Sequence, residues 1–342
     1  MRLQVIEKKD FAEFVANLIS KCEVVGPKAK NGGFAFGDLE SPDELRLDYD
    51  TTLLPPKKYL LPQRETLLKY RVGAELDVEE NVESSERIII GVHPYDIKAI
   101  AQMDRYFSED NPDNHYIAKR EGTTIIGLDP INVSENAFCN AMNAATVDDG
   151  FDLMLTDIGD KYVVAVGSDK GETLLAENAR CADASKVDAK ARDEARKKAA
   201  ELCAKQETSF TGQELPDLLA KGESHPVWEE KGEKCLSCGS CVMVCPSCYC
   251  FDVGDEVELN LVDGSRWRQW DGCVLEDFAS VASGENFREA RVARYRHRFY
   301  RKGQYLFKQF GEPACVGCGR CAKACLPDIA NPAAVYNALK EE

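Results

Sequence analysis

Eight cysteines in the C-terminal third of the chain set the chemistry this sequence can perform. Cys235, Cys238, Cys241 and Cys245 form one run, and Cys315, Cys318, Cys321 and Cys325 form a second. Both have the spacing C-x2-C-x2-C-x3-C, with each member of the second run 80 positions after its counterpart. Bacterial iron–sulfur sequences use this spacing to hold two cubane clusters. Three closely spaced thiolates wrap three irons of one cubane, and the intervening glycines let the backbone pass close to inorganic sulfide. The fourth cysteine, beyond a tighter turn, points to the other cluster. The expected ligand sets are therefore Cys235, Cys238, Cys241 and Cys325 for one [4Fe–4S] cluster, and Cys315, Cys318, Cys321 and Cys245 for the second. Structural zinc or a disulfide framework would be the competing use of the thiols. Zinc favours two-plus-two spacing, and two quartets with the same triple spacing fit neither.

Between the two runs lie 69 residues, 246–314, a long insertion. Three further cysteines occur in it, Cys248, Cys250 and Cys273. They could hold a third metal centre with one more ligand, or be buried beside the clusters; C-x-C…C is not a diagnostic spacing. Later in the insertion comes a basic segment with Arg288, Arg291, Arg294, Arg296, Arg298, Arg301 and Lys302. Three uses fit it: a helix whose arginines pair with the chain's own carboxylates, a docking face for an acidic partner, or a charge that raises a nearby cluster's potential.

The elements that position these residues can be read from periodicity. Residues 3–6 read as a short strand, followed by a helix with Phe11, Phe14, Val15, Leu18 and Ile19 at 3/4 spacing and Asp10 as its N-cap. Residues 26–37, rich in Gly and Lys, read as a flexible loop. Residues 54–65 carry three prolines around Lys57 and Lys58 and read as a rigid extended segment over a surface. Apolar runs at 87–92, 123–128 and 162–167 read as strands, and 97–103 as an amphipathic helix. This alternation predicts an α/β N-terminal domain with a mixed sheet over 1–180. An Ala/Lys/Glu-rich helix at 183–206 then marks a helical connector, 181–232. Last comes a C-terminal two-[4Fe–4S] ferredoxin-like domain, 233–342, with the insertion. His93 and Asp96 stand at the end of a strand, where such folds often place a ligand, although a capping or turn-packing role is the favoured reading. No G-x-G-x-x-G run follows a strand, so a dinucleotide site has no motif support. Cys139, Cys181 and Cys203 have no partner at ligand spacing.

The chain has 342 residues, 15 cysteines and a formal net charge of −16. That charge argues against nucleic-acid binding and leaves no polybasic membrane patch. No apolar stretch approaches the roughly 20 residues of a membrane span. No signal segment opens the chain, and free thiolates suit a reducing compartment, so a cytoplasmic location is expected.

Taken together these residues resemble a known family: the iron–sulfur β subunit of cytoplasmic sulfhydrogenase-type [NiFe] hydrogenases, together with the corresponding iron–sulfur component of anaerobic sulfite reductase. Besides both cluster motifs, the resemblance rests on the stretches 55–65 (Pro55 to Glu65), 91–96 (Gly91 to Asp96), 245–252 (Cys245 to Asp252) and 286–288 (Asn286 to Arg288). It covers most of the chain from about residue 50 to 330. Three departures stand out: Tyr95 where the family usually has Cys, Glu285 where it usually has His, and Leu326 between Cys325 and Pro327. The resemblance implies an electron-transfer subunit of a multi-subunit redox complex, with no catalytic residues of its own. It would relay single electrons between a catalytic subunit, of hydrogenase, sulfite reductase or heterodisulfide-reductase type, and a flavin-bearing, NAD(P)H- or ferredoxin-linked subunit. The alternative is an N-terminal domain that is itself a flavin- or substrate-binding oxidoreductase.

Overall fold

A computed structural model describes residues 2–73 and 75–341. In chain order its strands are β1 (Arg2–Glu7), β2 (Glu23–Lys30), β3 (Gly33–Asp38), β4 (Arg64–Val72), β5 (Leu76–Glu80) and β6 (Arg87–Val92). They continue as β7 (Thr123–Leu128), β8 (Leu153–Asp157), β9 (Lys161–Val166), β10 (Ala182–Asp183), β11 (Phe251–Val257) and β12 (Asp263–Trp270). One sheet runs in the order β10-β1-β9-β8-β7-β6-β2-β3. Its β2–β6, β6–β7 and β7–β8 pairs are parallel and its other pairs antiparallel, so it is mixed.

The central strands are apolar throughout because both faces of the sheet are covered. Side chains alternate between the faces with a period of two. Ile88, Ile90, Ile126, Leu153 and Val164 pack with Phe14, Val15 and Leu18 of the helix Lys8–Ile19 and Leu175 of the helix Asp169–Asn178. Ile89, Ile125, Met154 and Ala165 pack on the opposite side with Ile97, Ile100 and Met103 of the helix Pro94–Ser108.

Several local expectations change. The first helix begins after Glu7, and Asp10 sits in its first turn, not at the cap. Residues 26–37 are not a loop: β2 and β3 form an antiparallel hairpin, with Lys28 opposite Ala35. Lys28 bonds the Asp38 carbonyl at 2.9 Å and pairs with Glu44 at 2.7 Å. The proline-rich stretch is not laid over a surface. Pro56–Tyr59 is a 3-10 turn, and Lys57, Leu60 and Leu61 are buried. The helix Lys186–Leu202 is capped by a reciprocal Ser185–Asp188 box and lies against β8 and β9, burying Arg192 and Ala199.

A second sheet, ordered β11-β12-β4-β5, is antiparallel throughout. It joins residues 64–80 to strands from the insertion between the cysteine runs. Its inner end is tied by a knot of charges. Arg268 on β12 is 2% exposed; it donates to Glu65 of β4 at 2.7 Å and to Asp113. Lys119 donates to the same Glu65 at 2.6 Å.

The cysteine runs pack against a mostly helical core that also takes in Tyr95, Ala99 and Phe138 from the N-terminal half. Trp228, Tyr295, Phe299 and Tyr336 pack there with Leu215, Leu219 and Val335. Breaking a buried charge knot by removing one partner strands the others. Arg268→Met is therefore expected to lower the unfolding free energy by about 3–5 kcal/mol, measured by denaturant titration; a loss below about 1 kcal/mol would show that the knot does not hold the second sheet in place.

Candidate metal centre

Both cysteine runs follow the same backbone path. In the first, Ser237 and Gly239 take left-handed conformations (φ +51° and +76°) before the short helix Ser240–Met243. In the second, Gly317 and Gly319 do the same (φ +69° and +78°) before the short helix Arg320–Lys323. The two short helices lie against each other. Glycine is required at 317 for a second reason: a Cβ there would stand 2.6 Å from the Phe138 carbonyl oxygen. That close approach lets the Phe138 N–H donate to the Gly317 carbonyl at 2.8 Å, and the Cys139 thiol donate to it at 3.4 Å.

The thiols gather in two groups. Cys245, from the first run, lines one cavity together with Cys315, Cys318 and Cys321 of the second. Cys235, Cys325 and Cys241 are close enough to the Tyr295 phenol to act on it electrostatically, and the phenol is itself held by a 2.6 Å bond to the Ile329 carbonyl. Cys238 is exposed, at the solvent side of the first run, and hydrogen-bonds Ser240 at 3.4 Å. Backbone N–H groups point at sulfur beside Tyr295, Ser237 to Cys235 at 3.5 Å and Ile329 to Cys325 at 3.4 Å. Such bonds orient metal-ligating thiolates and lower the charge they carry.

Burial pushes the thiols of Cys241, Cys315 and Cys318 up to about 12. Sulfurs so desolvated hold their protons until a metal takes the proton's place. Cys245 goes the other way. The Cys248 thiol donating to it, then the ammonium groups of Lys302 and Lys57, pull it well below the ordinary thiol range against the effect of burial.

The basic segment becomes the helix Arg291–Tyr300 and a wider π turn, Arg301–Tyr305. Its charges do not pair with carboxylates among the described residues. Arg291 donates to the Cys235 carbonyl at 3.1 Å, Arg294 to Ser237 at 3.2 Å, and Arg301 to the Tyr249 hydroxyl at 2.5 Å. Lys302 donates to Ser247 at 2.8 Å. Arg298 is buried; burial opposes its charge, but the sulfurs of Cys241, Cys321, Cys245 and Cys248 outweigh that and hold it protonated. Lys57, which sequence patterns placed at a surface, donates to the Cys248 carbonyl at 2.7 Å and lies 4.1 Å from the Trp270 ring centre. Burial depresses it to about 8. Two sets of soft thiolate donors ringed by buried cations without carboxylate partners fit polynuclear anionic iron–sulfur centres.

His93 and Asp96 both make contacts within the protein. The His93 ring stacks on Tyr49 at 4.1 Å, and its Nδ1 shares a 2.6 Å hydrogen bond with the Tyr95 hydroxyl. Asp96 accepts from both terminal guanidinium nitrogens of Arg320, at 2.6 and 2.7 Å, and Arg320 Nε donates to the Thr52 carbonyl at 2.9 Å. This buried pair clamps the second cysteine run to the first sheet. Cys139 and Cys203 are both sealed in the core, and Cys181 donates to Gln4 at 3.1 Å. Of the additional cysteines, Cys248 turns to Cys245, whereas Cys250 lies near Cys273. Among the described residues no three His, Cys, Asp or Glu side chains converge closely enough for a single metal ion.

Comparison with known proteins agrees with this geometry. Residues 234–329 match the family described as the 4Fe-4S dicluster domain, which carries two [4Fe–4S] clusters. Over 326 residues the chain is 34% identical to sulfhydrogenase 2 subunit beta of Pyrococcus furiosus, and the match covers 95% of each chain.

The Asp96–Arg320 clamp can be tested by charge removal. Asp96→Asn leaves Arg320 buried without its counter-charge and is expected to cost about 3–5 kcal/mol in chemical denaturation. The double variant Asp96→Leu/Arg320→Met removes both charges and should recover most of that loss. A double variant no more stable than the single one would show that packing, not charge, sets the cost.

Proposed function

Since the chain belongs to the family of sulfhydrogenase β subunits, we propose that it is the electron-transfer subunit of a multi-subunit redox complex. In this reading it connects a flavin-bearing, NAD(P)H- or ferredoxin-linked subunit to a catalytic subunit, of hydrogenase type given the relative. The observation that carries the reading is the place of Cys245: it belongs to the first run by sequence and lines a cavity with Cys315, Cys318 and Cys321. We accordingly assign Cys315, Cys318, Cys321 and Cys245 to one cluster and Cys235, Cys238, Cys241 and Cys325 to the other. When bound, such clusters supply one-electron transfer without proton chemistry.

The chain's residues supply what that chemistry needs. Crossing of the runs sets the two thiol groups side by side; Cys241 and Cys321 are close enough to act on each other electrostatically. The aromatic core of Tyr295, Phe299 and Tyr336 keeps water from the sulfurs. Cys238, exposed at the rim, marks the side from which a partner could approach the first group. We keep the division into an α/β unit (1–180), a connector (181–232) and a dicluster unit (233–342), with the second sheet shared across it. Among the described residues no helix is long and apolar enough to cross a membrane. A cytoplasmic complex is the setting we propose.

Ligand assignment is tested by iron content and electron paramagnetic resonance of anaerobically prepared protein. The intact chain should hold about eight irons, and Cys245→Ser about four. Cys245→Ser and Cys315→Ser should leave the same spectrum, and Cys235→Ser the other one. If Cys245→Ser instead matched Cys235→Ser, ligation would be uncrossed. Absence of iron from the intact chain would remove the electron-transfer reading altogether.

A further inference from the structure

Two buried cations on one helical segment stand beside the thiols without a carboxylate to balance them. Arg298 is 6% exposed and Lys302 8% exposed. Arg298 makes a long bond to the Ala330 carbonyl, 3.4 Å, and lines the cavity that also holds Cys245, Cys315, Cys318 and Cys321. Besides Cys321 it acts on Cys241 and Cys245. Cys241 lies in the first proposed ligand set, Cys321 and Cys245 in the second; Arg294, one helical turn before Arg298, donates to Ser237 of the first run, so this face of the helix meets both runs. Lys302, about one helical turn on, donates to Ser247, lines the same cavity and acts on Cys245 and Cys315. Those two ligands both belong to the second set.

We infer that Arg298 is a shared counter-charge that raises the electron affinity of both clusters, and that Lys302 does the same for the second cluster alone. The inference rests on the electron-transfer reading above. Reduction adds one negative charge to a centre held in a low-dielectric interior, where a fixed cation a few ångströms away is felt strongly. Charge near a cluster is one of the factors that set its potential. Arginine suits the shared place because it stays protonated whatever the state of its neighbours. Neither residue is a ligand, so each acts by position only. Arg291 and Arg294 hold the Cys235 carbonyl and the Ser237 hydroxyl of the first run, whereas Arg296, on the same helix, points elsewhere and donates to the Glu223 carbonyl at 3.1 Å.

The test is a potentiometric titration of the anaerobically purified full chain, with dithionite as the electron source and each cluster followed by its own paramagnetic signal. Arg298→Met should lower the reduced-to-oxidised ratio of both clusters at least tenfold at a fixed potential, about 59 mV for a one-electron couple. Lys302→Met should lower that ratio for the second cluster only. Arg298→Lys, which keeps the charge, and Arg296→Gln, which removes a charge pointing elsewhere, should leave both close to the unmodified values. Unmoved potentials in Arg298→Met with a full iron complement would overturn the inference, as would equal shifts of both clusters in Lys302→Met. Should Arg298→Met lose iron, Lys302→Met decides alone: a shift confined to the second cluster supports the assignment, and no shift overturns it. An unmodified chain without iron would fail the functional reading instead, a separate outcome from clusters whose potentials do not respond.

Discussion

Everything in the C-terminal half depends on keeping negative sulfur inside protein. Thiolates are stable there only with a metal, a cation or a hydrogen-bond donor beside them. The chain provides cations and donors from different elements. Lys57 arrives from the 3-10 turn after the first hairpin, Arg298 and Lys302 from the basic helix and its π turn, and Arg320 from within the second run itself. The basic segment that looks out of place in an acidic chain is therefore turned inward. Arg291 and Arg294 hold a carbonyl and a hydroxyl of the first cysteine loop, and the buried Arg298 and Lys302 line the cavity with the sulfurs of the second run.

The same constraint explains why the N-terminal sheet belongs to the site although it contributes none of the proposed ligands. Asp96, just beyond the end of β6, neutralises Arg320, and residues 136–139 lie against the Gly317 and Gly319 backbone. The structural role favoured for this strand end takes a specific form: what docks there is the rim of the second cysteine run.

Legibility in the sequence followed the range of the interactions. The cluster spacing is local, and so are the apolar runs of β6, β7 and β9 and the 3/4 pattern of the first helix; all could be read directly. The β2–β3 hairpin could not, because its glycines and lysines carry no strand signal and are ordered by pairing. Lys57 was hidden for the same kind of reason. Lysine among prolines reads as surface, and the carbonyl of Cys248 and the ring of Trp270, both far along the chain, make its burial tolerable. The Asp96–Arg320 clamp joins residues more than half the chain apart. The departure at Tyr95 also gains meaning only in three dimensions: Tyr95 is fully packed and hydrogen-bonded to His93, a hydrophobic and polar plug rather than a donor to metal.

The second sheet has an implication for how this protein can be divided. Strands β4 and β12 are neighbours in space, yet one precedes the first cysteine run and the other lies between the two runs. Any cut that releases the cysteine-bearing part as a small carrier would leave half of that sheet on each fragment, with an open edge, an orphaned Arg268 and no Asp96 for Arg320. The architecture thus behaves as a single inheritable unit. Recombination or engineering can exchange what surrounds it in an assembly, but not lift the redox module out of its host sheet.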